Sequence, residues 1–436
     1  MLKAKKQTGL VFFPAFDWAI DPTHPEREER LLYTRDQVFE EGLMDIEGLT
    51  EFKPEKVTEE DINRAHFCVP DIETVTTDSH FISAGGAKKI AKMVAEKKID
   101  NGFALVRPPG HHAMRIVHGG RGFCNINIEA IMIEYLRKEF GYKKIAVVDT
   151  DCHHGDGTQD IYWHDKDVLF ISLHQDGRTL YPGSGFTSEL GGPNACGYTL
   201  NIPLPPNTSE EGYLYTIENC VLPVLNEFKP DIIINSAGQD NHYTDPLTNM
   251  NFTAQGYAKL TELLNPDIAV LEGGYSIEAA LPYVNTGIIL SMAGMDYSGI
   301  KEPDYNTEVI RESLDIMKYI EKVCEKVLDV WDSRNSLRAD IYGEHEIYSR
   351  SRDIMYDTDG IYETQKEEVT GCHECGGALK IISGSDRGYK VTAVFVPVNS
   401  CSKCQKKAHE WYDLAKGTDT VFLHDNLAGR YEQKKG

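Results

Sequence analysis

Four short runs, GFALV at 102–106, KIAVV at 144–148, DIIIN at 231–235 and DIAVL at 267–271, constrain the fold of this chain more than any other feature. Each is apolar, rich in β-branched residues and closed by polar or glycine-rich sequence. That is the pattern of strands buried on both faces in a parallel sheet. Between them lie helix-like segments, IEAIMIEYLRKEF at 128–140 opened by Asn127 and SEEGYLYTIENCVLPVLNEF at 209–228 opened by Ser209, both residue types that cap helix N-termini well. Alternating strands and helices predict an α/β fold. With 436 residues, 41% of them hydrophobic, the chain is long enough for one large domain and a small one.

Composition removes several classes of function. No run approaches the ~18 apolar residues that cross a bilayer. The N-terminal MLKAKKQTGLVFFPAFDWAID is interrupted by Pro14 and Asp17 and lacks a small-residue cleavage site, so a cytoplasmic protein is expected. Of ten cysteines, six are scattered singly and four form two Cys-x-x-Cys pairs near the C-terminus, which suggests metal rather than disulfides. A net charge of -23 argues against nonspecific nucleic-acid binding by the bulk of the molecule and gives cationic substrates a modest attraction.

Open α/β sheets place their ligands at the carboxyl ends of their strands, and here those ends read RPPGHHA, DTDCHHGDG, SAGQD and EGGY. If the second strand stays extended past Val148, a period of two puts Asp149, Asp151 and His153 on one face. Asp240, leaving a neighbouring strand, offers a further oxygen. Two carboxylates, an imidazole and an open position suit a catalytic zinc. A buried ion-pair network and a binuclear manganese site are the alternatives.

The motifs RPPGHHA, GFC, VDTDCHHGDGTQ, SLH, YPGSG, SAGQD, DPL and LEGGY, with HPEREERL at 24–31, resemble the histone deacetylase and acetylpolyamine amidohydrolase family over roughly residues 8–300. The resemblance implies an α/β fold of the arginase and deacetylase type, a mainly parallel eight-stranded sheet flanked by helices. It makes Asp151, His153 and Asp240 the ligands of a catalytic Zn2+, pairs His111 with Asp149 and His112 with Asp156, and aims the Tyr275 hydroxyl at a substrate carbonyl. It also implies a tunnel walled by Phe123 and Tyr181, and substrate contacts at Gln239 and Gly273. Asp78 would be a rim aspartate, for which a helix cap is the plain alternative. A K+ or Na+ ion would sit at Asp149, Asp151, His153, Ser172 and Leu173. The implied reaction is zinc-dependent hydrolysis of an acyl amide, above all acetyl, on a lysine, polyamine or related amine. A non-catalytic acyl-lysine reader and a scaffold are the rivals.

Two departures bear on the substrate. Gln239 stands where the family usually has an aromatic or apolar residue. MRIVHGGR at 114–121 carries Arg115, His118 and Arg121 toward the expected entrance, where positive charge suits an anionic substrate, unless this is merely a solvated loop.

Residues 1–335 are the expected catalytic domain. TEVIRESLDIMKYIEKVCEKVLDVW at 307–331 reads as an amphipathic helix from Ile310, Leu314, Met317, Ile320, Val323, Val327 and Val330. A connector at 336–370 holds a hairpin turning at Asp359-Gly360. Residues 371–436 then read as a zinc ribbon, with Cys372, Cys375, Cys401 and Cys404 on a structural Zn2+ around a β-hairpin turning near Asp386 to Gly388, a redox dithiol being the alternative. This segment has 10 Lys+Arg and 7 Asp+Glu, a net of +3, against -26 for the rest. The contrast suggests docking on the large domain or contact with a partner, another protein or a second copy.

Overall fold

Within the strand Asn101–Val106, Phe103 and Leu105 enter one apolar layer and Ala104 and Val106 the other; in Ile145–Asp149, Ala146 and Val148 oppose Ile145 and Val147 in the same way. Side chains alternate across a strand, so a run without polar residues can sit only where both faces are covered. The computed structural model, which describes residues 2–21 and 23–436, shows that arrangement. Its first strands are β1 (Lys3–Phe13), β2 (Glu47–Glu51), β3 (Phe67–Cys68), β4 (Asn101–Val106), β5 (Ile116–Val117), β6 (Ile145–Asp149), β7 (Val168–Gln175), β8 (Thr199–Leu204), β9 (Ile232–Ser236) and β10 (Ile268–Val270). Eight of them form one sheet in the order β2-β1-β4-β10-β9-β6-β7-β8, with every neighbouring pair parallel. The four runs that predict the sheet are its four central, adjacent strands. The outer strands carry polar residues at their ends and are less legible. The short β3 and β5 pair with each other.

Both expected caps are present: Asn127 accepts from the Ala130 amide and Ser209 from the Gly212 amide. The amphipathic helix begins later and runs further than its stripe predicts. Thr307–Ile310 is a separate 3-10 turn, and the helix spans Leu314–Tyr342, capped by Ser313. Its buried side is Ile320, Val323, Cys324, Val327 and Trp331, while Leu314 is exposed.

The C-terminal part is a second sheet of β11 (Ile347–Tyr356), β12 (Ile361–Thr370), β13 (Leu379–Ser385), β14 (Lys390–Val396), β15 (Thr420–Asp425) and β16 (Arg430–Lys435), paired in sequence order. The hairpin of the expected connector pairs directly with β13, so this sheet begins at residue 347 rather than 371. The ribbon reading captures the four cysteines and the β13–β14 hairpin. It misses the helix Ser402–Leu414, which leads from the second cysteine pair into β15, parallel to β14.

This module is packed on the large domain. Phe67, Val69 and Ile116 share an apolar cluster with Leu379, Ile381, Ala393, Phe395 and Phe422. Met114 packs among Ile354, Tyr356 and Ile361. Arg350 and Arg352 reach Asp160 on the helix Asp156–Tyr162. Among the described residues no helix is long and apolar enough to cross a membrane.

Candidate metal centre and active site

Strand β6 ends at Asp149, so the convergence of Asp149, Asp151 and His153 does not come from a continued strand. It comes from successive side-chain-to-backbone turns. Asp149 Oδ1 accepts from the Asp151 amide at 3.1 Å, and Asp151 Oδ1 from the His153 amide at 2.8 Å. Short carboxylates favour such turns over regular structure. Asp240, beyond β9, accepts from the Cys152 amide at 2.7 Å, and its Oδ2 stands 2.8 Å from His153 Nδ1. One atom each of Asp151, His153 and Asp240 lie within 4.8 Å of one another. Gly273 closes this cluster: its amide donates to Asp151 Oδ2 at 2.6 Å, and a Cβ there would come within 2.5 Å of Asp240.

The donor set fits a metal cation. Burial alone would lower the His153 pKa, yet Asp240 and Asp151 hold it at about 10. A field strong enough to retain that proton equally favours a cation in its place. Two carboxylates and one imidazole are hard and borderline donors of the kind zinc accepts.

Both dyads are formed. His111 Nδ1 meets Asp149 Oδ2 at 3.1 Å, and its Nε2 lies 3.8 Å from Asp151. Burial disfavours its charge, but Asp151 and Asp149 outweigh burial and raise its pKa well above the ordinary value. His112 Nδ1 meets Asp156 Oδ1 at 2.8 Å. Burial, reinforced by charge on His111, lowers its pKa to about 3 despite Asp156. The two neighbours are thus pushed in opposite directions, His111 toward its charged form and His112 toward its neutral form. Arg121 donates to the other oxygen of Asp156. Burial opposes the charge on Asp156, but Arg121 holds it well below the usual carboxylate range.

Tyr181 stands edge-on to His112, ring centres 5.1 Å apart, and Phe123 edge-on to Tyr275 at 5.8 Å. Gly122, with φ +51°, presses the loop so close that a Cβ would come within 2.3 Å of the His112 ring. The Tyr275 amide donates to Asp245 at 2.7 Å, and the Arg30 guanidinium lies 4.9 Å from its ring centre. Burial, above all, raises the pKa of its hydroxyl, which therefore stays protonated.

Other expected contacts are not brought together. Gln239 turns its amide into Asn285, which continues to Thr34. Asp78 is exposed in the first turn of the helix Asp78–Ala95 and pairs with Lys56 at 2.6 Å. Arg115 is buried over Phe395 and donates to the Ile161 carbonyl, and His118 meets Ser383, so neither lines an entrance. These two hold the C-terminal module, which the sequence of the large domain alone could not disclose. For the K+ or Na+ set, strand register sets Ser172 beside Asp149. The Ser172 hydroxyl is bonded to His174 and the Leu173 carbonyl to Tyr213, so the resemblance alone argues for an ion there.

Several supporting residues had no role in the sequence reading. Glu26, Arg30 and Arg107 of the large domain form a buried network, and Arg30 donates to the carbonyls of Glu272 and Gly274 just before Tyr275. Glu272 accepts from the amides of Gly110 and His111. HPEREERL carried the signal, since so many charges in a matched motif need buried partners. His154, adjacent to His153, is structural: its ring nitrogens meet Ser184 and Gln159.

The second cluster is the four cysteines, whose Sγ atoms lie within 4.8 Å of one another. Cys372 and Cys375 Sγ are 3.6 Å apart, Cys372 and Cys401 3.8 Å. Tetrahedral Zn–S bonds of ~2.3 Å give edges of ~3.8 Å. The spacing fits a closed structural site rather than a disulfide.

Residues 70–289 match the histone deacetylase domain profile. The chain is 45% identical over 325 residues to a probable deacetylase of Archaeoglobus fulgidus, covering 68% of this chain and 89% of that protein. It is 35% identical over 231 residues to the histone deacetylase-like amidohydrolase of Pseudomonas aeruginosa, covering 51% of this chain and 60% of the relative. Of the plant histone deacetylase 14 it spans about half the length, at 39% identity. Among solved structures, the crystal structure of the HDA15 HD domain superposes with a TM-score of 0.66 at 27% identity, covering 78% of this chain and 99% of that one.

Proposed function

The chain belongs to the histone deacetylase family, and from that premise we propose that it is a zinc-dependent amidohydrolase that removes an acetyl or related acyl group from an amine. The observation that carries the reading is the joint presence of the Asp151, His153 and Asp240 cluster and two histidine-carboxylate dyads. Zn2+ held by those three residues would act as a Lewis acid toward the amide carbonyl and acidify water. Two anionic ligands offset its charge, so a protein base is needed.

His112 is that base. Asp156 fixes its Nδ1, so Nε2 takes the proton from the attacking water and returns it to the departing amine. His111, held by Asp149, is the electrostatic partner as negative charge develops nearby. The Tyr275 hydroxyl donates to the carbonyl oxygen, a contact worth a few kcal/mol in such reactions. Phe123 and Tyr181 wall the path of the acyl chain and exclude water. Cys372, Cys375, Cys401 and Cys404 would hold a second Zn2+, whose part would be structural.

The test is hydrolysis of an acetyl-lysine peptide by the purified protein. Activity should disappear on treatment with a chelator and return with Zn2+. Binding of the peptide without hydrolysis in any metal state would support a reader and overturn this reading.

A further inference from the structure

The hairpin turn of the C-terminal module lies at the active-site wall. Asp357 Oδ1 accepts from the Tyr181 hydroxyl at 2.8 Å and from the Gly122 amide at 3.1 Å. Tyr181 is the residue whose ring stands against His112 and, at 6.4 Å, against His153. Its hydroxyl is the outer end of that wall, so Asp357 marks the rim. The turn is pinned in place: Arg121 donates to the Met355 carbonyl at 2.6 Å, the Thr358 amide to the Gly120 carbonyl at 3.3 Å, and the Gly120 amide to Asp359 at 2.6 Å. Both bonds to Asp357 fall on the same oxygen. Oδ2 is left for a ligand on an exposed residue.

The charges around it decide what that ligand is. Arg115 and His118 are buried against the module, and the charge of Arg121 is matched by Asp156. Asp359 has the exposed Arg387 beside it, donating to its carbonyl at 3.1 Å, so of the two exposed carboxylates at the turn it is Asp357 that sets the sign of the rim. We infer that Asp357, supplied by the C-terminal module, is a specificity-determining residue that selects acylated amines carrying a second, positive group several bonds beyond the scissile nitrogen. This rests on the proposed amide hydrolysis and reverses the preference for anionic substrates expected from Arg115, His118 and Arg121. The position of the carboxylate explains why one chain carries both parts: the module completes the mouth of the large domain's site.

The experiment compares three acetamides of equal chain length, with a terminal ammonium, a terminal methyl or a terminal carboxylate, on the zinc-loaded full-length protein. The wild type should favour the ammonium over the carboxylate substrate in kcat/KM, with the preference shrinking as salt rises. Asp357→Asn keeps an acceptor for Tyr181 but removes the charge, and should lower the ammonium-to-carboxylate ratio about tenfold, mainly through KM. Asp357→Glu should restore most of it. Equal ratios in wild type and Asp357→Asn would overturn the role of Asp357 while leaving the deacetylase reading intact. Hydrolysis of none of the three by the wild type would overturn that reading and this inference with it.

Discussion

Tyr275 is fixed through its backbone and its ring rather than its hydroxyl: Asp245 holds the amide, and Arg30, itself fully buried against Glu26, lies over the aromatic face. Removing the hydroxyl alone should therefore leave the loop in place. Tyr275→Phe is expected to lower kcat by about 100-fold or more, the usual effect of losing one oxyanion donor, with bound zinc and melting temperature unchanged. A kcat within twofold of wild type would mean that another group polarises the carbonyl. The Asp151, His153 and Asp240 cluster and the two histidine-carboxylate pairs were legible in sequence because such residues combine rarely in fixed order at strand ends. Those that hold them, Glu26, Arg30, Arg107 and Glu272, were not assigned, because a buried ion pair is visible only once its partners meet. Gln239 misled for the converse reason. Adjacency to Asp240 in sequence says nothing of direction, and its side chain turns to Asn285.

At the scale of elements, periodicity identified the central strands, where both faces are apolar, and failed at the sheet edges; in the C-terminal sheet turn residues marked the hairpins β11–β12 and β13–β14, while β15 and β16 went unread. The hairpin β11–β12 reads as a polar connector because one face of each strand is exposed, the pattern of an antiparallel sheet with solvent on one side. The Cys-x-x-Cys pairs anchor the far side of this sheet, at the turn before β13 and the start of the helix Ser402–Leu414. Cys372→Ser with Cys375→Ser should remove one zinc per chain and expose that sheet, so limited proteolysis should cut between residues 371 and 420 while the large domain resists. Unchanged protease resistance with the metal lost would show that packing on Trp411 and its neighbours holds the module without metal.

For the whole molecule, the docking of module and large domain makes one titrating unit. His66 at the interface donates from Nδ1 to the Met114 carbonyl at 2.8 Å and accepts at Nε2 from the Asn127 amide. His424 of the module stacks on Phe67, ring centres 3.9 Å apart. Burial lowers the His66 pKa to about 4 and the His424 pKa to about 3. Both lie below the unfolded value near 6.5, so the unfolded chain binds more protons beneath that pH. Their stabilising contribution is complete above about pH 6.5 and is lost as pH falls toward 4, by about 1.4 kcal/mol per pH unit for each histidine. Melting temperature should fall steeply between pH 6.5 and 4.5, with less slope in His66→Gln. An equal slope in that variant would place the titrating groups elsewhere.

The central claim is that the Asp151, His153 and Asp240 cluster is the metal-dependent catalytic centre of an amide hydrolase. Metal content and acetate release measured together on His153→Ala test it most directly. The claim predicts loss of one zinc per chain, with the cysteine-bound zinc retained, and turnover of an acetyl-lysine peptide reduced by about a thousandfold or more, in a protein that melts as one folded unit. Full turnover in this variant, or unchanged metal content, would contradict it.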